Sequence, residues 1–297
     1  MPENDPRIPD LPHPREVLKA HGLRARRAFG QNFLVSAATF DRIVESAGVQ
    51  SDEAVLEIGP GLGALTARLA ARARRVVAVE IDRGLHAISA ENLRSFDNVD
   101  LLLGDFLASK HAINAAVTQA ARAATDAAGR PLKVVSNLPY SISSPAIVCL
   151  LEWEVPVGEM YLMLQKEVAD RVTAAPGGRD YGPLTATVAH WAEAQALFTL
   201  PRGAFWPAPE VRSALVRVAR RPGARADECY RVFSAMVARL FGQRRKTLGH
   251  TLRAGWGAER ARAALERVGV EQATRVEELT AEQLRVLAEA LGQPGER

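Results

Sequence analysis

Residues 55–66 read VLEIGPGLGALT, and this stretch decides the fold. A short apolar run ends at Ile58, glycines follow at 59 and 61, and a helical pattern begins near Ala64. Glycine lets the backbone approach a ligand closely, and the first turn of a helix offers unpaired N–H groups. Gly59, Gly61 and Ala64 also satisfy the GxGxxG/A pattern of dinucleotide enzymes. The motif therefore predicts a nucleotide-binding turn, with a tight turn that binds nothing as the alternative.

The segments around this turn alternate between strand and helix patterns. Helical patterns separate the strand patterns at residues 54–58, 75–81, 99–105, 132–137 and 160–165. Such alternation indicates a parallel sheet with helices on both faces. Beyond about Pro222 only helical patterns follow. The sequence therefore predicts an α/β, Rossmann-like domain and a small all-α domain, with residues 1–28 as a partly disordered N-terminal extension, 29–222 as the Rossmann-like domain and 223–297 as the helical domain.

Two carboxylates follow the next strands of the predicted sheet. Glu80, in VVAVEID, lies 21 residues after Gly59, where a carboxylate can bind both ribose hydroxyls. Asp105, in LLLGDF, ends the third strand, where a carboxylate can accept a hydrogen bond from an adenine amino group. Each acid alone could cap a helix, but the carboxyl ends of parallel strands meet where such folds bind ligands. The two acids favour an adenosine-containing cofactor and leave its identity open.

The fourth strand ends in SNLPY, residues 136–140, which is either an ordinary turn or a site for a base. A purine amine is a poor nucleophile because its lone pair is delocalised into the ring. Two acceptors for its hydrogens, the side-chain oxygen of Asn137 and the carbonyl of Leu138, can draw the nitrogen toward tetrahedral geometry. Pro139 restricts the residue before it, and Tyr140 offers a face on which a base can stack.

The charge distribution permits a nucleic-acid partner. Six arginines and one acid lie between Arg202 and Arg225, and five basic residues and no acid lie between Arg239 and Arg253. Basic clusters that meet phosphates release condensed counterions, although a solvated basic face has the same composition. Charge alone therefore does not establish RNA or DNA binding.

Other classes of protein fit the sequence poorly. No apolar run approaches the roughly 20 residues that span a bilayer, and the polar, proline-rich N-terminus is not a secretory signal. The two cysteines, Cys149 and Cys229, are far apart in sequence, and the histidines show no paired helical spacing. We therefore expect no metal site and no membrane association, and a reducing, cytoplasmic location.

Several motifs, in this order and spacing, resemble those of the ribosomal RNA adenine dimethyltransferases, and most closely the bacterial branch that acts on small-subunit (16S) rRNA. The resemblance extends from about Phe29 to Leu291. The motifs are FGQNFL (29–34), LEIGPGLGALT (56–66), VEID (79–82), GDF (104–106), NLPYSISSP (137–145), MLQKEVADR (163–171), FWPAPEVRSALVR (205–217) and FGQRRKTL (241–248).

The resemblance implies a Rossmann-like, S-adenosylmethionine-dependent methyltransferase that dimethylates the N6 amines of two adjacent adenines. Its implied partner is 16S rRNA within the immature 30S subunit, on which it would act as a monomer. It implies cofactor contacts from Asn32, Leu34, Gly59, Gly61, Glu80, Asp105 and Asn137. It implies an amine-methylating site formed by Asn137, Leu138, Pro139 and Tyr140, with Phe205 flanking the base from the other side. It also implies that the FGQRRKTL helix faces rRNA, with phosphate-binding roles for Arg244, Arg245 and Lys246.

Two alternatives stay open beside the small-subunit enzyme. One is a 23S rRNA adenine methyltransferase of the macrolide-resistance type, which shares the fold but usually departs from NLPY, LQKE and GQRRKTL. The other is an RNA-binding assembly factor without turnover, which the glycine turn and the acids disfavour. The chain departs from the usual FxPPPxVxS loop at Trp206 and Ala208, so the second stacking face is the least certain part of the resemblance.

Overall fold

A computed structural model describes residues 5–26, 29–224 and 226–292. The chain divides into two compact units. The first contains the residues up to Ala169 together with Gln195–Ala219, and the second contains Asp170–Ala194 and the residues from Arg220 onward. The second unit thus includes a segment that the predicted boundary near residue 222 assigned to the first domain, and the functional domain boundary stays a prediction.

Helices and strands alternate through the first unit, and helices dominate the second. The helices are α1 (Pro14–Ala20), α2 (Ala37–Ala47), α3 (Ala64–Ala70), α4 (Arg83–Asn92), α5 (Ala115–Ala128), α6 (Ser143–Glu152), α7 (Lys166–Val172), α8 (Pro183–Trp191), α9 (Glu228–Gly242), α10 (Leu248–Trp256), α11 (Ala258–Val268) and α12 (Ala281–Leu291). The strands are β1 (Phe33–Leu34), β2 (Ala54–Ile58), β3 (Arg75–Glu80), β4 (Val99–Leu103), β5 (Leu107–Ser109), β6 (Ala112–Ile113), β7 (Leu132–Asn137), β8 (Val157–Gln165), β9 (Ala192–Leu200), β10 (Phe205–Trp206) and β11 (Ser213–Arg220).

A seven-stranded sheet in the order β4-β3-β2-β7-β8-β11-β9 forms the centre of the α/β part. Neighbouring strands from β4 to β8 run parallel, and β11 pairs antiparallel with β8. All five residues of β2 are buried, as expected for a central parallel strand covered on both faces. The register places Ile58 beside Val79 and Glu80 beside Leu103, so these strands end together at one edge. The predicted Rossmann-like fold is confirmed.

The main core lies against this sheet and includes apolar side chains from α2 and α3. Ile43 and Val44 of α2 are almost completely buried there. Lys133, on β7, is also buried, and its Nζ donates to the carbonyl of Ala47 at 2.9 Å and to Glu53 Oε2 at 2.8 Å. The lysine thereby caps the end of α2 and fixes that helix against the sheet.

The N-terminal segment contacts the first unit before α1 begins. Ile8 packs against the main core, and the Arg7 guanidinium lies 4.9 Å from the centre of the Phe96 ring. Leu11 packs against a smaller cluster that contains Phe33. The predicted partial disorder therefore does not describe residues 5–13, because apolar and cation–π contacts anchor them. Residues 1–4, on which the same prediction falls, lie outside the described residues.

Aromatic side chains pack closely in the second unit. The rings of His190 and Phe233 lie 4.4 Å apart, and those of Trp191 and Tyr230 lie 4.7 Å apart. Helix α12 contacts α8, α9 and α11 in this unit. The predicted C-terminal helical region is confirmed, with α10 as an additional helix.

Candidate active site

A cavity of about 470 Å³ opens at the carboxyl ends of the parallel strands. Its size lies within the range of small-molecule sites, and its position matches the ligand crevice of open α/β sheets. The cavity is lined by these predicted site residues: Asn32, Leu34, Gly59, Gly61, Glu80, Asp105, Asn137, Leu138, Pro139 and Tyr140. The fold thus brings together every predicted cofactor residue and four of the five predicted catalytic residues.

A side chain is disfavoured at two positions of the glycine turn, Gly59 and Gly61. Gly59 and Gly61 have φ angles of 76° and 61°, in the left-handed region that side chains disfavour. A Cβ on Gly59 would lie 3.1 Å from Cγ of Pro139, and one on Gly61 would lie 3.2 Å from the Phe33 ring. The turn between β2 and α3 therefore packs directly against the NLPY segment and the FGQNFL segment.

Glu80 lies at the end of β3 with its carboxylate held in place. Its Oε2 accepts from the Gly61 N–H at 3.1 Å, and its Oε1 accepts from the Asp82 N–H at 2.9 Å. Burial raises the pKa of the Glu80 carboxyl, while these N–H groups act in the opposite direction. A carboxylate oxygen accepts more than one hydrogen bond, so the group can still receive two hydroxyls of a ribose. The geometry fits the predicted role.

Asp105 and Ile81 also line the cavity. Asp105 is exposed, and its Oδ1 accepts from the Leu107 N–H at 3.0 Å, which fixes the carboxylate in a turn. Ile81 is 42% exposed although it is apolar, and it lines the same cavity. An apolar surface beside a fixed carboxylate suits a flat ring that carries an amino group, as adenine does. The sequence analysis did not single out Ile81, although an apolar residue directly after Glu80 was a usable signal.

Asn137 is oriented by a segment other than its own turn. Its Nδ2 donates to the carbonyl of Asn32 at 2.9 Å, and Asn32 Nδ2 in turn donates to the carbonyl of Gly30 at 3.1 Å. Oδ1 takes no part in this contact. This leaves Oδ1 able to accept a hydrogen bond from an amine, as the catalytic prediction requires.

Tyr140 begins a short 3₁₀ turn, Tyr140–Ile142, immediately after Pro139. Its Oη lies 2.6 Å from Oγ of Ser213, and burial raises the pKa of the phenol. A Cβ on Gly30 would lie 3.2 Å from the Tyr140 nitrogen, so the FGQNFL segment packs on the backbone here. Leu138 is buried between these groups. The NLPY segment is therefore rigidly placed at the cavity.

The family model described as "Ribosomal RNA adenine dimethylase" matches residues 22–293. The chain belongs to this family. The ribosomal RNA small subunit methyltransferase A of Geobacillus thermodenitrificans is 39% identical over 285 residues, which cover 93% of this chain and 94% of that protein. The protein with the same name from Streptococcus pneumoniae is 38% identical over 294 residues, covering 96% and 98%.

Solved structures of related enzymes have the same fold. The 23S rRNA methyltransferase ErmE is 30% identical with a TM-score of 0.67, covering 88% of this chain and 99% of that chain. A dimethyladenosine transferase from Plasmodium falciparum is 22% identical with a TM-score of 0.72, covering 86% and 95%.

One predicted catalytic residue of this dimethylase does not lie at the cavity. Phe205 is only 3% exposed and packs in the main core. Residues alternate across a strand, and the pairing of Leu34 with Phe205 and Phe33 with Trp206 turns the Phe205 ring inward. Trp206 is the more exposed of the two and stacks against Phe33. Phe205 therefore does not line the cavity in this conformation, and its role in flanking the base stays a prediction.

The predicted FGQRRKTL helix is not continuous. Helix α9 ends at Gly242 and α10 begins at Leu248, with Thr247 as an N-cap that accepts from the His250 N–H. The three predicted RNA-binding residues therefore lie in the turn between two helices. Arg245 and Lys246 are exposed there.

The Arg244 guanidinium contacts other residues of the second unit and does not simply face solvent. Its guanidinium lies 3.6 Å from a carboxylate oxygen of Glu277 and donates to the carbonyl of Arg179 at 3.4 Å. These contacts, within the second unit, connect the interhelical turn to a loop before α8. The predicted phosphate-binding role remains a prediction for all three residues, and Arg245 and Lys246 are the better placed.

Two further residues around the glycine turn, Glu57 and Asp82, were not identified from the sequence. Glu57, on β2, is buried, and burial raises its pKa to about 8 while the hydroxyl of Thr66 acts in the opposite direction. Asp82 caps α4 and lies 3.3 Å from the Arg26 guanidinium and 3.4 Å from Gln31 Nε2. Through these contacts, Asp82 connects the basic segment before FGQNFL, and Gln31 of that motif, to the end of β3. Asp82 is the last residue of the VEID motif, so the sequence offered a way to identify it.

Within residues 5–26, 29–224 and 226–292, no group of three or more His, Cys, Asp or Glu side chains is arranged to hold a metal ion. Within the same ranges, no helix has the length and apolar character needed to cross a membrane.

Proposed function

We propose that this dimethylase transfers methyl groups from S-adenosylmethionine to the N6 amines of two adjacent adenines in 16S rRNA. The orientation of Asn137 is the observation that carries the proposal. Its Nδ2 donates to the Asn32 carbonyl, Oδ1 takes no part in that contact, and Asn137 lines the cavity. An acceptor oxygen beside the cofactor crevice is what an exocyclic amine needs for activation.

The cavity fits S-adenosylmethionine in the nature and order of its polar groups. Glu80 is a fixed acceptor for the ribose hydroxyls, and Asp105 with Ile81 suits the adenine. Gly59 and Gly61 let the backbone approach the ligand where a side chain would collide with Pro139 or Phe33. When bound, the cofactor supplies an electrophilic methyl group on a sulfonium.

The residues of the NLPY segment would activate the amine by position and hydrogen bonding. Asn137 Oδ1 and the Leu138 carbonyl would each accept a hydrogen bond from one N–H of the amine. These two hydrogen bonds would localise the lone pair on the nitrogen. Tyr140 would stack on the purine and hold it in line. Such a site gains its rate from orientation and preorganised dipoles, so no side chain is required as a general base. An adenine inside a duplex would first have to be swung out of the stack.

We favour 16S rRNA, the rRNA of the small subunit, as the substrate because this chain is more similar to the small-subunit enzymes than to the 23S enzyme. The small-subunit enzymes are 38–40% identical to this chain over nearly its whole length, whereas the 23S enzyme ErmE is 30% identical. A 23S rRNA methyltransferase is therefore the second candidate. We further propose that the substrate is 16S rRNA in an immature 30S particle, and that the enzyme acts as a monomer in the cytoplasm.

Mass spectrometry of rRNA from cells that lack this chain tests the proposal. We expect dimethyladenosine to be missing from 16S rRNA and to return when the gene is restored. Loss of methyladenosine from 23S rRNA, with 16S rRNA unchanged, would support the second candidate instead. Unchanged modification of both rRNAs would contradict a methyltransferase role and would favour an assembly factor without turnover.

A further inference from the structure

Tyr140 is held at both ends. Its Oη is hydrogen-bonded to Oγ of Ser213 at 2.6 Å. At its backbone, Gly30 packs so closely that a Cβ on Gly30 would lie 3.2 Å from the Tyr140 nitrogen. Tyr140 lines the cavity together with Asn137. Both the backbone end and the hydroxyl end of Tyr140 are therefore fixed at the site where the adenine would stack.

The sheet fixes the position of the Ser213 hydroxyl. Ser213 is the first residue of β11 and pairs with Gln165 at the end of β8. The Lys166 N–H donates to the carbonyl of Arg212 at 2.9 Å, which extends this pairing by one residue. Because β8 lies between β7 and β11, Tyr140 reaches from beyond β7 across the end of β8 to this hydroxyl. Ser213 is completely buried, so the sheet and not the solvent determines where Oγ lies.

A fixed phenol oxygen restricts swinging of the Tyr140 side chain about its Cα–Cβ bond, because Oη lies on the long axis of the ring and its position sets the direction of that axis. Stacking requires overlap of two parallel faces, and a side chain that swings about Cα–Cβ carries its ring away from the base for part of the time. Burial raises the pKa of Tyr140, so the phenol keeps its proton at neutral pH and the hydrogen bond to Ser213 persists. Ser213 lies within the FWPAPEVRSALVR motif, but the motif alone predicted no role for it.

We propose that Ser213 is a positioning residue for methyl transfer, because its hydroxyl holds the Tyr140 ring in place beside the target adenine. This inference rests on the proposed function, in which the adenine stacks on Tyr140. Ser213 itself does not touch the substrate.

The test compares Ser213→Ala, Tyr140→Phe and the double variant with the wild-type enzyme on immature 30S particles. We expect Ser213→Ala to lower kcat about tenfold, because a small displacement of a group that orients the substrate is costly to the rate. The Kd for S-adenosylmethionine should stay within about twofold of the wild-type value, because the hydrogen bond at the Tyr140 hydroxyl is not a contact with the cofactor. Thr125→Val is the matched control: it removes a buried hydroxyl that donates to the Ala121 carbonyl in α5, and kcat should not change.

A fluorescent base separates positioning from a purely structural effect. In an rRNA fragment that carries 2-aminopurine at the target position, stacking on Tyr140 quenches the emission. We expect wild type and Thr125→Val to quench it, and Ser213→Ala to quench it less at saturating enzyme. Equal quenching by Ser213→Ala would overturn the inference.

The double variant shows whether Ser213 acts through Tyr140. If it does, the double variant is no slower than the slower single variant; if the two losses multiply, the inference is wrong. Should Ser213→Ala fail to fold, Tyr140→Phe removes the same hydrogen bond from the cavity side, and a wild-type rate for it overturns the inference. A wild-type chain that methylates no rRNA contradicts the proposed function, whereas an active wild type with an equally active Ser213→Ala contradicts this inference alone.

Discussion

Replacing Gly59 with alanine should weaken cofactor binding and slow methyl transfer. Gly59 has φ = 76°, and a side chain in this left-handed region costs about 1–2 kcal/mol. The added Cβ would also lie 3.1 Å from Cγ of Pro139, so the proline must move by a few tenths of an ångström. The Pro139 side chain is a closed ring in the same segment as Asn137 and Tyr140. It cannot rotate away from the added Cβ as a long, flexible side chain would.

Gly129→Ala is the matched control for this substitution. Gly129 has φ = 65° at the end of α5, and a Cβ there would meet no atom within 4 Å. Both variants should therefore lose about 1–2 kcal/mol in the free energy of unfolding, measured by urea denaturation. Only Gly59→Ala should also raise the Kd for S-adenosylmethionine and lower kcat, each by about tenfold or more, because small displacements at a reacting centre are costly.

Isothermal titration calorimetry and a tritium-transfer assay measure these two effects. The reasoning is refuted if Gly59→Ala binds the cofactor as tightly as Gly129→Ala does and turns over at the same rate. That result would mean that the contact between the glycine turn and Pro139 does not determine the geometry of the site.

The remaining predictions concern the second unit. Burial lowers the pKa of His190 to about 4, with Arg285 lowering it further and Asp227 opposing, so the folded state holds the ring neutral. The unfolded chain binds the proton near pH 6.5, and stability should therefore fall as pH decreases from about 6.5 to 4. We expect a loss of about 1–3 kcal/mol by urea denaturation, discounted because the ring is partly exposed, and the loss should disappear in His190→Phe. Replacing Arg245 and Lys246 with alanine should weaken rRNA binding and reduce the slope of log K against log salt by about 1 per residue.

Each of these two predictions has a result that would contradict it. A stability curve that is the same for His190→Phe and wild type between pH 4 and 6.5 would assign the acid sensitivity to other groups. For the basic turn, Arg244→Ala is the comparison, since its contacts with Glu277 and Arg179 predict a loss of stability with little change in the salt slope. An unchanged slope in the double variant would place the RNA interface elsewhere.

Elements with a clear apolar pattern were predictable from the sequence, and the shortest elements were not. The strand AVLEI (54–58) has the predicted bounds, because a short apolar run that ends at a glycine turn is typical of a strand buried on both faces. The helix Leu248–Trp256 was missed because its glycines at 249 and 255 are poor helix formers. The hairpin formed by Leu107–Ser109 and Ala112–Ile113 was missed because strands of two or three residues show no period.

Sequence motifs identified the residues of the cavity but not the directions of their side chains. Gly59, Glu80 and Asp105 follow strands that the parallel sheet must bring to one edge, so their proximity was predictable. Phe205 was assigned to the substrate by resemblance, but the pairing of a two-residue strand turns its ring into the core. The contact between Tyr140 and Ser213 joins residues 73 positions apart, and no local pattern encodes it.

Single-turnover methyl transfer by Asn137→Ala, on immature 30S particles with saturating S-adenosylmethionine, tests the central claim most directly. We predict that the variant still binds the cofactor, less tightly than wild type, and that the rate of methyl transfer falls by about 10²–10³-fold or more, the effect of losing a hydrogen-bonding group aimed at the reacting atoms. A rate near that of the wild-type enzyme would contradict the claim that the Asn137 amide activates the adenine nitrogen.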